Sequence, residues 1–338
     1  MAHEPKLTAY TIQLKPSNGI TENTNRWLFR NLINEANQNE LTDSYIITEI
    51  FRCFITALDT PEMYSDTTSK KCMTANQPNI EDPNVNANIV LHSQQFIIEG
   101  KVEGGSYGRK RSKTSTIDKT NKSDVDERDA ITEDFYFLLY CPLQSSKSTL
   151  FIQSYSDDSI DSVMKKFWQN FFSFQGTFNQ PAVKRFVPIS IIEDFKTNAT
   201  VSGLTFTTDI PGETLLESTS TQTTRNYKVT VKITPTNDDL SVEEFEQTIE
   251  PLQQTFFTRL MNLGQFVKKK GTLRDISTNK TSPFDLGSSF EIQPSILLSK
   301  YITINGDVSD FGRIKNYCFT LLESVKPEIY IQNAIQER

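Results

Sequence analysis

The run Phe135-Tyr136-Phe137-Leu138-Leu139-Tyr140-Cys141 is apolar at every position. Side chains of a strand alternate between its two faces, so a run like this needs cover on both and predicts a central strand. Residues 150–155, beyond a polar turn at 142–148, supply its hairpin partner. The next segment places Ile160, Val163, Met164, Phe167, Phe171 and Phe172 at helical spacing, with Lys165, Lys166, Gln169 and Asn170 opposite. That is an amphipathic helix. A chain carrying this series must fold around a sheet layered with helices.

Elsewhere the pattern is coarser. A strand is expected at 7–14, then a helix capped by Thr24 with Leu28, Leu32, Ile33 and Ala36 on one face, and a second helix at 47–58 stopped by Pro61. The polar stretch 59–88 reads as a surface loop. Residues 94–103 form an amphipathic strand, with Phe96, Ile98 and Val102 on one face and Glu99, Lys101 and Glu103 on a solvated one, and Gly104-Gly105 breaks or turns it. The segments 106–122 and 124–134 read as a mobile hairpin tip or loop. A linker at 176–181 separates an N-terminal unit, 1–175, from a C-terminal unit, 182–338. The second unit has strands at 185–189, 201–207 and 227–233. Ser241 and Glu244 then form a capping box that opens a long helix, kinked at Pro251. Strands at 265–270 and 296–304 and a last helix carrying Ile314, Cys318, Leu321, Leu322 and Val325 complete it. The expected fold is α+β, with mostly antiparallel sheets, helices on one face of each, and a second half ferredoxin-like in outline.

Composition narrows the function classes. The 338 residues suit two units, and 36% hydrophobic with 23% charged residues suits a globular chain with long polar loops. No apolar run approaches the roughly 20 residues of a membrane span. The first ten residues hold no basic segment followed by an apolar one, so neither a signal peptide nor a membrane partner is expected, and a cytoplasmic location is. Cys53, Cys72, Cys141 and Cys318 are scattered without a C-x-x-C pair, which argues for plain buried thiols and against a zinc ribbon. His3 stands at the terminus, leaving His92 as the one imidazole for acid–base work, with a structural, hydrogen-bonded role as the plainer reading. Mechanisms needing two histidines are therefore excluded. The phosphate-cradling GxxxxGK[ST], the dinucleotide GxGxxG and the nucleophile elbow GxSxG are all missing.

Two constellations carry chemistry. Glu99-Gly100-Lys101 on a strand, with Asp82 and Glu81 upstream, has the elements of a Mg²⁺-dependent nuclease, in which Asp82 and Glu99 hold the metal and Lys101 assists the attacking water. The same pattern is equally that of a solvated strand face whose alternating charges pair across strands. The second is the basic run Arg109, Lys110, Arg111 and Lys113, preceded by Tyr107. Residues 99–122 hold seven basic and three acidic residues, whereas 124–134 holds six acids and one arginine. A basic arm reaches nucleic-acid phosphates, with Tyr107 available to stack on a base, unless the acidic neighbour neutralises it. Lys268, Lys269 and Lys270 add a further positive cluster to a chain of net charge −7.

One stretch, 96–172, combines IIEGKVEGGSYG, a charged variable segment, FYFLLYCPL, a polar turn, LFIQSY and an amphipathic helix. Through Gly100, Gly104, Gly108, Phe137, Pro142, Gln153 and Phe167 it resembles a broad group of uncharacterised bacterial proteins. These are similar to accessory components of anti-phage defence, and the resemblance implies such a role while naming no catalytic residue.

Three functions follow as expectations. The first is a non-enzymatic binding component of a defence system, without a cofactor, contacting nucleic acid or a partner protein through the basic loop and Lys268, Lys269 and Lys270. The others are a nuclease using Mg²⁺ and a structural protein that self-associates. The expected partners are DNA or RNA, a second protein or another copy of the chain.

Overall fold

A computed structural model of the chain describes residues 4–33, 41–75, 88–118, 120–155, 158–211, 226–258, 261–276, 279, 281–287, 292–303 and 310–331. The chain forms two compact units, Met1–Phe186 together with Leu297–Arg338, and Val187–Ile296. Its helices are α1 (Asn25–Ile33), α2 (Asp43–Leu58), α3 (Asp161–Phe171), α4 (Ile189–Asn198), α5 (Val242–Gln254) and α6 (Phe311–Lys326). Strands of the first unit are β1 (Lys6–Pro16), β2 (Tyr64–Asp66), β3 (Lys71–Thr74), β4 (Ile89–His92), β5 (Ile97–Ser106), β6 (Arg111–Thr114), β7 (Lys122–Val125), β8 (Ile131–Tyr140), β9 (Lys147–Ser154) and β10 (Phe178–Phe186). The second unit holds β11 (Ala199–Pro211), β12 (Asn226–Ile233), β13 (Leu240–Ser241), β14 (Phe256–Thr258), β15 (Met261–Asn262), β16 (Lys268–Asp275), β17 (Thr281–Leu286) and β18 (Ile292–Pro294). The fold is α+β.

In the first unit the antiparallel sheet runs β10-β1-β9-β8-β5-β3-β2, with β4 paired to β5. The register sets Ile98, Gly100 and Val102 of β5 opposite Leu139, Phe137 and Phe135 of β8. These residues form one core with α1, α2 and α3, in which Phe54 stacks on Trp168 at 4.8 Å. The alternate residues, Glu99 opposite Leu138 and Lys101 opposite Tyr136, turn to the other face. There α6 packs on β8, with Ile314, Cys318, Leu321, Leu322 and Val325 buried. Helices therefore cover both faces of this sheet, which corrects the expectation of one. The doubly apolar β8 needs that cover.

Several boundaries also differ from the expected ones. Residues 178–181 of the expected linker belong to β10, paired with β1 from Ala9↔Phe186 to Pro16↔Phe178. Pro181 is tolerated because β10 ends the strand order and has an edge free of ladder bonds. The unit boundary falls after Phe186, and α6 belongs with the first unit, so the β-α-β-β-α order read along 182–338 is divided between the two. Within 59–88, the hairpin β2–β3 pairs onto β5 and buries Cys72 and Met73. Gly104 and Gly105 do not break β5. A Cβ on Gly105 would lie 1.8 Å from the Ile131 carbonyl oxygen, so the bare backbone is what lets β5 and β8 stay paired to Ser106↔Ile131.

In the second unit the sheet runs β12-β11-β16-β17-β18, antiparallel throughout. Leu204, Phe206 and Ile210 of β11 are buried, as are Ile191 and Phe195 of α4 and Val242, Phe245 and Ile249 of α5. Ser241 caps α5 through the expected reciprocal bonds with Glu244, at 3.1 and 2.8 Å. The helix ends at Gln254, well short of Leu263, with Pro251 in its last turn.

Candidate functional site

The basic run is built on an extension of the central hairpin. Beyond Ser106↔Ile131 the two chains separate, Gly108 takes a left-handed conformation at φ +87, and its N–H bonds the Glu127 carbonyl at 2.9 Å. From that clamp β6 and β7 continue as a two-stranded ribbon, with Arg111↔Val125, Ser112↔Asp124, Lys113↔Ser123 and Thr114↔Lys122 in register. The segments read as a hairpin tip or loop thus carry a short antiparallel hairpin. Because opposite residues share a face, Arg111 and Lys113 lie together with Ser123 and Val125, while Asp124 lies on the other side with Ser112. Arg109, Lys110, Arg111 and Lys113 are exposed. Among the described residues none of the four has an ion-pair partner. The acids of 126–129 gather at the base of the ribbon, where Asp129 accepts the Asp126 N–H at 2.8 Å. Tyr107 sits there too, with the Lys70 ammonium 5.6 Å from its ring centroid.

The E-x-K strand takes a different place from the solvated face expected of it. Glu99 is 3% exposed and accepts from Lys315 of α6 at 2.5 Å, with the His92 Nε2 at 3.1 Å. Lys101 donates to Asp134 at 2.9 Å and lies 5.0 Å from the Phe311 ring centroid. His92 packs edge-on against Phe319, which gives it the structural role. Glu99 is thus engaged by Lys315 and His92, Asp82 lies outside the described residues, and the described residues hold no group of three His, Cys, Asp or Glu side chains placed for a metal. Burial and the Glu99 charge push the Cys318 thiol well up, and burial pushes the Cys141 thiol up to about 12. The Tyr136 phenol is raised by burial, by Cys318 and by Glu99. These groups stay neutral and cannot serve as nucleophiles. Cys53, unlike the other three thiols, is exposed.

The residues of the bacterial resemblance are structural. Gln153 is fully buried and its Oε1 accepts the Tyr136 N–H at 3.0 Å, satisfying a strand donor just past the last β8–β9 pair, Phe137↔Ile152. The Pro142 carbonyl accepts from the buried Asn25 amide at 3.0 Å.

In the second unit, Lys268 and Lys270 project from the sheet face opposite the buried Leu204, Phe206 and Leu273. On that face the register adds Lys228 and Lys232 of β12, opposite Asp209 and Thr205. Lys270 lies 4.0 Å from Asp285, and Arg274 pairs with Asp239 at 3.0 Å. Lys269 points the other way, beside Phe206, and desolvation lowers its pKa. The cluster therefore contributes two exposed lysines, and Lys228 and Lys232 were the missed members. Their alternation with Val229 and Val231 was the signal that could have found them. Comparison with known proteins finds no protein-family model that matches this chain, and no curated protein matches it.

Proposed function

We propose that this protein is a non-enzymatic binding component that grips nucleic-acid phosphates with the ribbon β6–β7. The observation that carries the reading is the exposure of Arg109, Lys110, Arg111 and Lys113 without ion-pair partners among the described residues, beside a ribbon whose strands carry one acid, Asp124, which faces away from Arg111 and Lys113. Cations already paired in the protein release no counterions when they meet phosphate; unpaired ones do. The exposed Lys268, Lys228 and Lys232 of the second unit, without ion-pair partners among the described residues, support the same chemistry. A place in bacterial anti-phage defence is part of the proposal on the strength of the 96–172 resemblance alone.

Four phosphate contacts give a log–log salt slope of about −3.6, so affinity for DNA should fall about 150-fold between 50 and 200 mM salt. Fluorescence anisotropy of a labelled oligonucleotide measures this. Replacing Arg109, Lys110, Arg111 and Lys113 by serine should flatten the slope towards zero. No binding at 50 mM salt, or an unchanged slope in the variant, overturns the reading in favour of a protein partner.

A further inference from the structure

We propose that the nucleic acid is duplex DNA and that the ribbon enters its minor groove, with Ile117 at the tip acting as an apolar wedge between base pairs. This rests on the phosphate-gripping role of β6–β7 and adds to it the substrate class and a positioning element. Ile117 is 98% exposed, the most exposed of the large hydrophobic side chains on the described surface. Its neighbours along the ribbon are all small or polar: residues 109–125 read RKRSKTSTIDKTNKSDV, with Val125 at the far end. An isolated aliphatic side chain thus stands at the extremity of a cationic arm.

The tip is ordered by its own bonds. Ser115 Oγ accepts the N–H groups of Ile117 and Asp118 at 3.2 and 3.1 Å, and the Ser115 N–H donates to the Asn121 carbonyl at 3.1 Å. The Asp118 carboxylate is engaged locally, accepting from the Thr120 N–H at 2.9 Å and the Thr120 hydroxyl at 2.7 Å, which holds its pKa below the usual range. A preformed tip loses little conformational freedom on insertion. β6 itself, four residues at about 3.3 Å each, spans roughly 13 Å between the clamp at Gly108 and the turn that carries Ile117. A minor groove is roughly 7.5 Å deep. The arm is long enough for the tip to reach the bases while Arg111 and Lys113 lie against the phosphates.

The side-chain chemistry separates duplex from single strand. Unstacked bases are held on aromatic platforms, and 109–125 contains no aromatic residue. Aliphatic wedges beside arginine and lysine instead belong to binding that parts stacked base pairs and kinks the duplex by roughly 20–90°. The wide, shallow minor groove of A-form RNA gives such a wedge no narrow stack to enter. Burying an isoleucine side chain on insertion is worth about ten- to a hundredfold in affinity.

The test uses the full chain and a 30-base-pair DNA duplex with an A·T-rich centre, labelled at its ends for energy transfer, with single-stranded DNA and duplex RNA of the same sequence in parallel. Binding of the unaltered protein should raise transfer between the duplex ends, and duplex DNA should bind most tightly. Ile117→Ser, at a fully exposed position, should abolish the rise in transfer and weaken duplex binding about ten- to a hundredfold while leaving the salt slope unchanged. Ile117→Leu should restore both. A rise that persists in Ile117→Ser, binding without any rise, or tighter binding to either of the other two nucleic acids overturns the wedge and leaves the phosphate grip standing. Failure to bind all three overturns the phosphate grip itself.

Discussion

Replacing Lys315 by methionine removes the ammonium paired with a buried carboxylate. Glu99 is 3% exposed, its bond to Lys315 is 2.5 Å, and what remains after the change is His92 at 3.1 Å. Methionine keeps much of the aliphatic stem on the sheet, so the loss is chiefly electrostatic. Breaking a buried pair costs about 3–5 kcal/mol, because the survivor is left uncompensated. Lys315 is 38% exposed and shares its charge with solvent, which places the expected loss near the lower end, about 3 kcal/mol. For a unit of this size that is a fall of about 6–12 °C in Tm. Trp27 and Trp168, the two tryptophans of the sequence, both lie in the first unit, so urea unfolding followed by tryptophan fluorescence reports on it selectively. The asymmetry of the pair supplies the control. Glu99→Leu leaves behind a lysine that can turn to water, and combining it with Lys315→Met should recover stability to within about 1 kcal/mol of the unaltered protein. If Lys315→Met costs less than about 1 kcal/mol, or no more than Glu99→Leu, Glu99 is not the buried, cation-dependent charge described above.

Gly100 has φ +153, and a Cβ there would lie 2.0 Å from the Asn88 carbonyl oxygen, where β4 closes on β5. Gly100→Ala should therefore cost at least about 3 kcal/mol in the same unfolding experiment, whereas Gly176→Ala, with φ +83 and open space, should cost about 1 kcal/mol from backbone strain alone. Equal effects would mean that β4 does not approach so closely. Asp66 accepts from Lys166 at 2.7 Å and from the Ser69 hydroxyl at 2.6 Å, which hold its carboxyl well below the usual range. A folded pKa below the unfolded one stabilises above the unfolded value, about 3.9, and that stabilisation is lost as pH falls. Asp66→Asn should melt below the unaltered protein at pH 7, and the two Tm values should converge as pH falls from about 5 towards 2. A gap that stays constant across that range contradicts the assignment.

What the sequence made legible were the elements long enough to show a period. The helices α2, α3 and α6 and the strands β8 and β9 display three or more apolar repeats each, and they came out close to their observed positions. The hairpin β2–β3 did not, because strands of three and four residues bury too few side chains to stand out from a polar stretch. Gly104 and Gly105 are ambiguous in sequence for a physical reason: the missing side chain that suits a turn also permits close contact between strands. For Glu99 the decisive neighbour is Lys315, more than two hundred residues away, and no local pattern shows that a helix so distant will lie over that face. The pairing of β5 with β8 held the clue. A strand apolar on both sides requires a second covering layer, and a layer over Tyr136 and Leu138 also extends over their partners Lys101 and Glu99.

The same register explains why the cations of this chain divide into two kinds. Lys315 of α6 meets Glu99 across the layer, and Lys101 of β5 meets Asp134 across the sheet. Lys315 thereby ties α6 to β5, and Lys101 ties β5 to β8. Past Ser106↔Ile131 the hairpin continues as β6 and β7, and among the described residues no acid pairs with Arg111 or Lys113. Yet the ribbon remains the direct continuation of the paired strands β5 and β8, clamped at Gly108 and Glu127. A charged arm anchored in this way keeps its cations in a fixed spacing before any partner arrives. The ordering cost that an equally basic flexible loop would bear on binding is thereby met in folding.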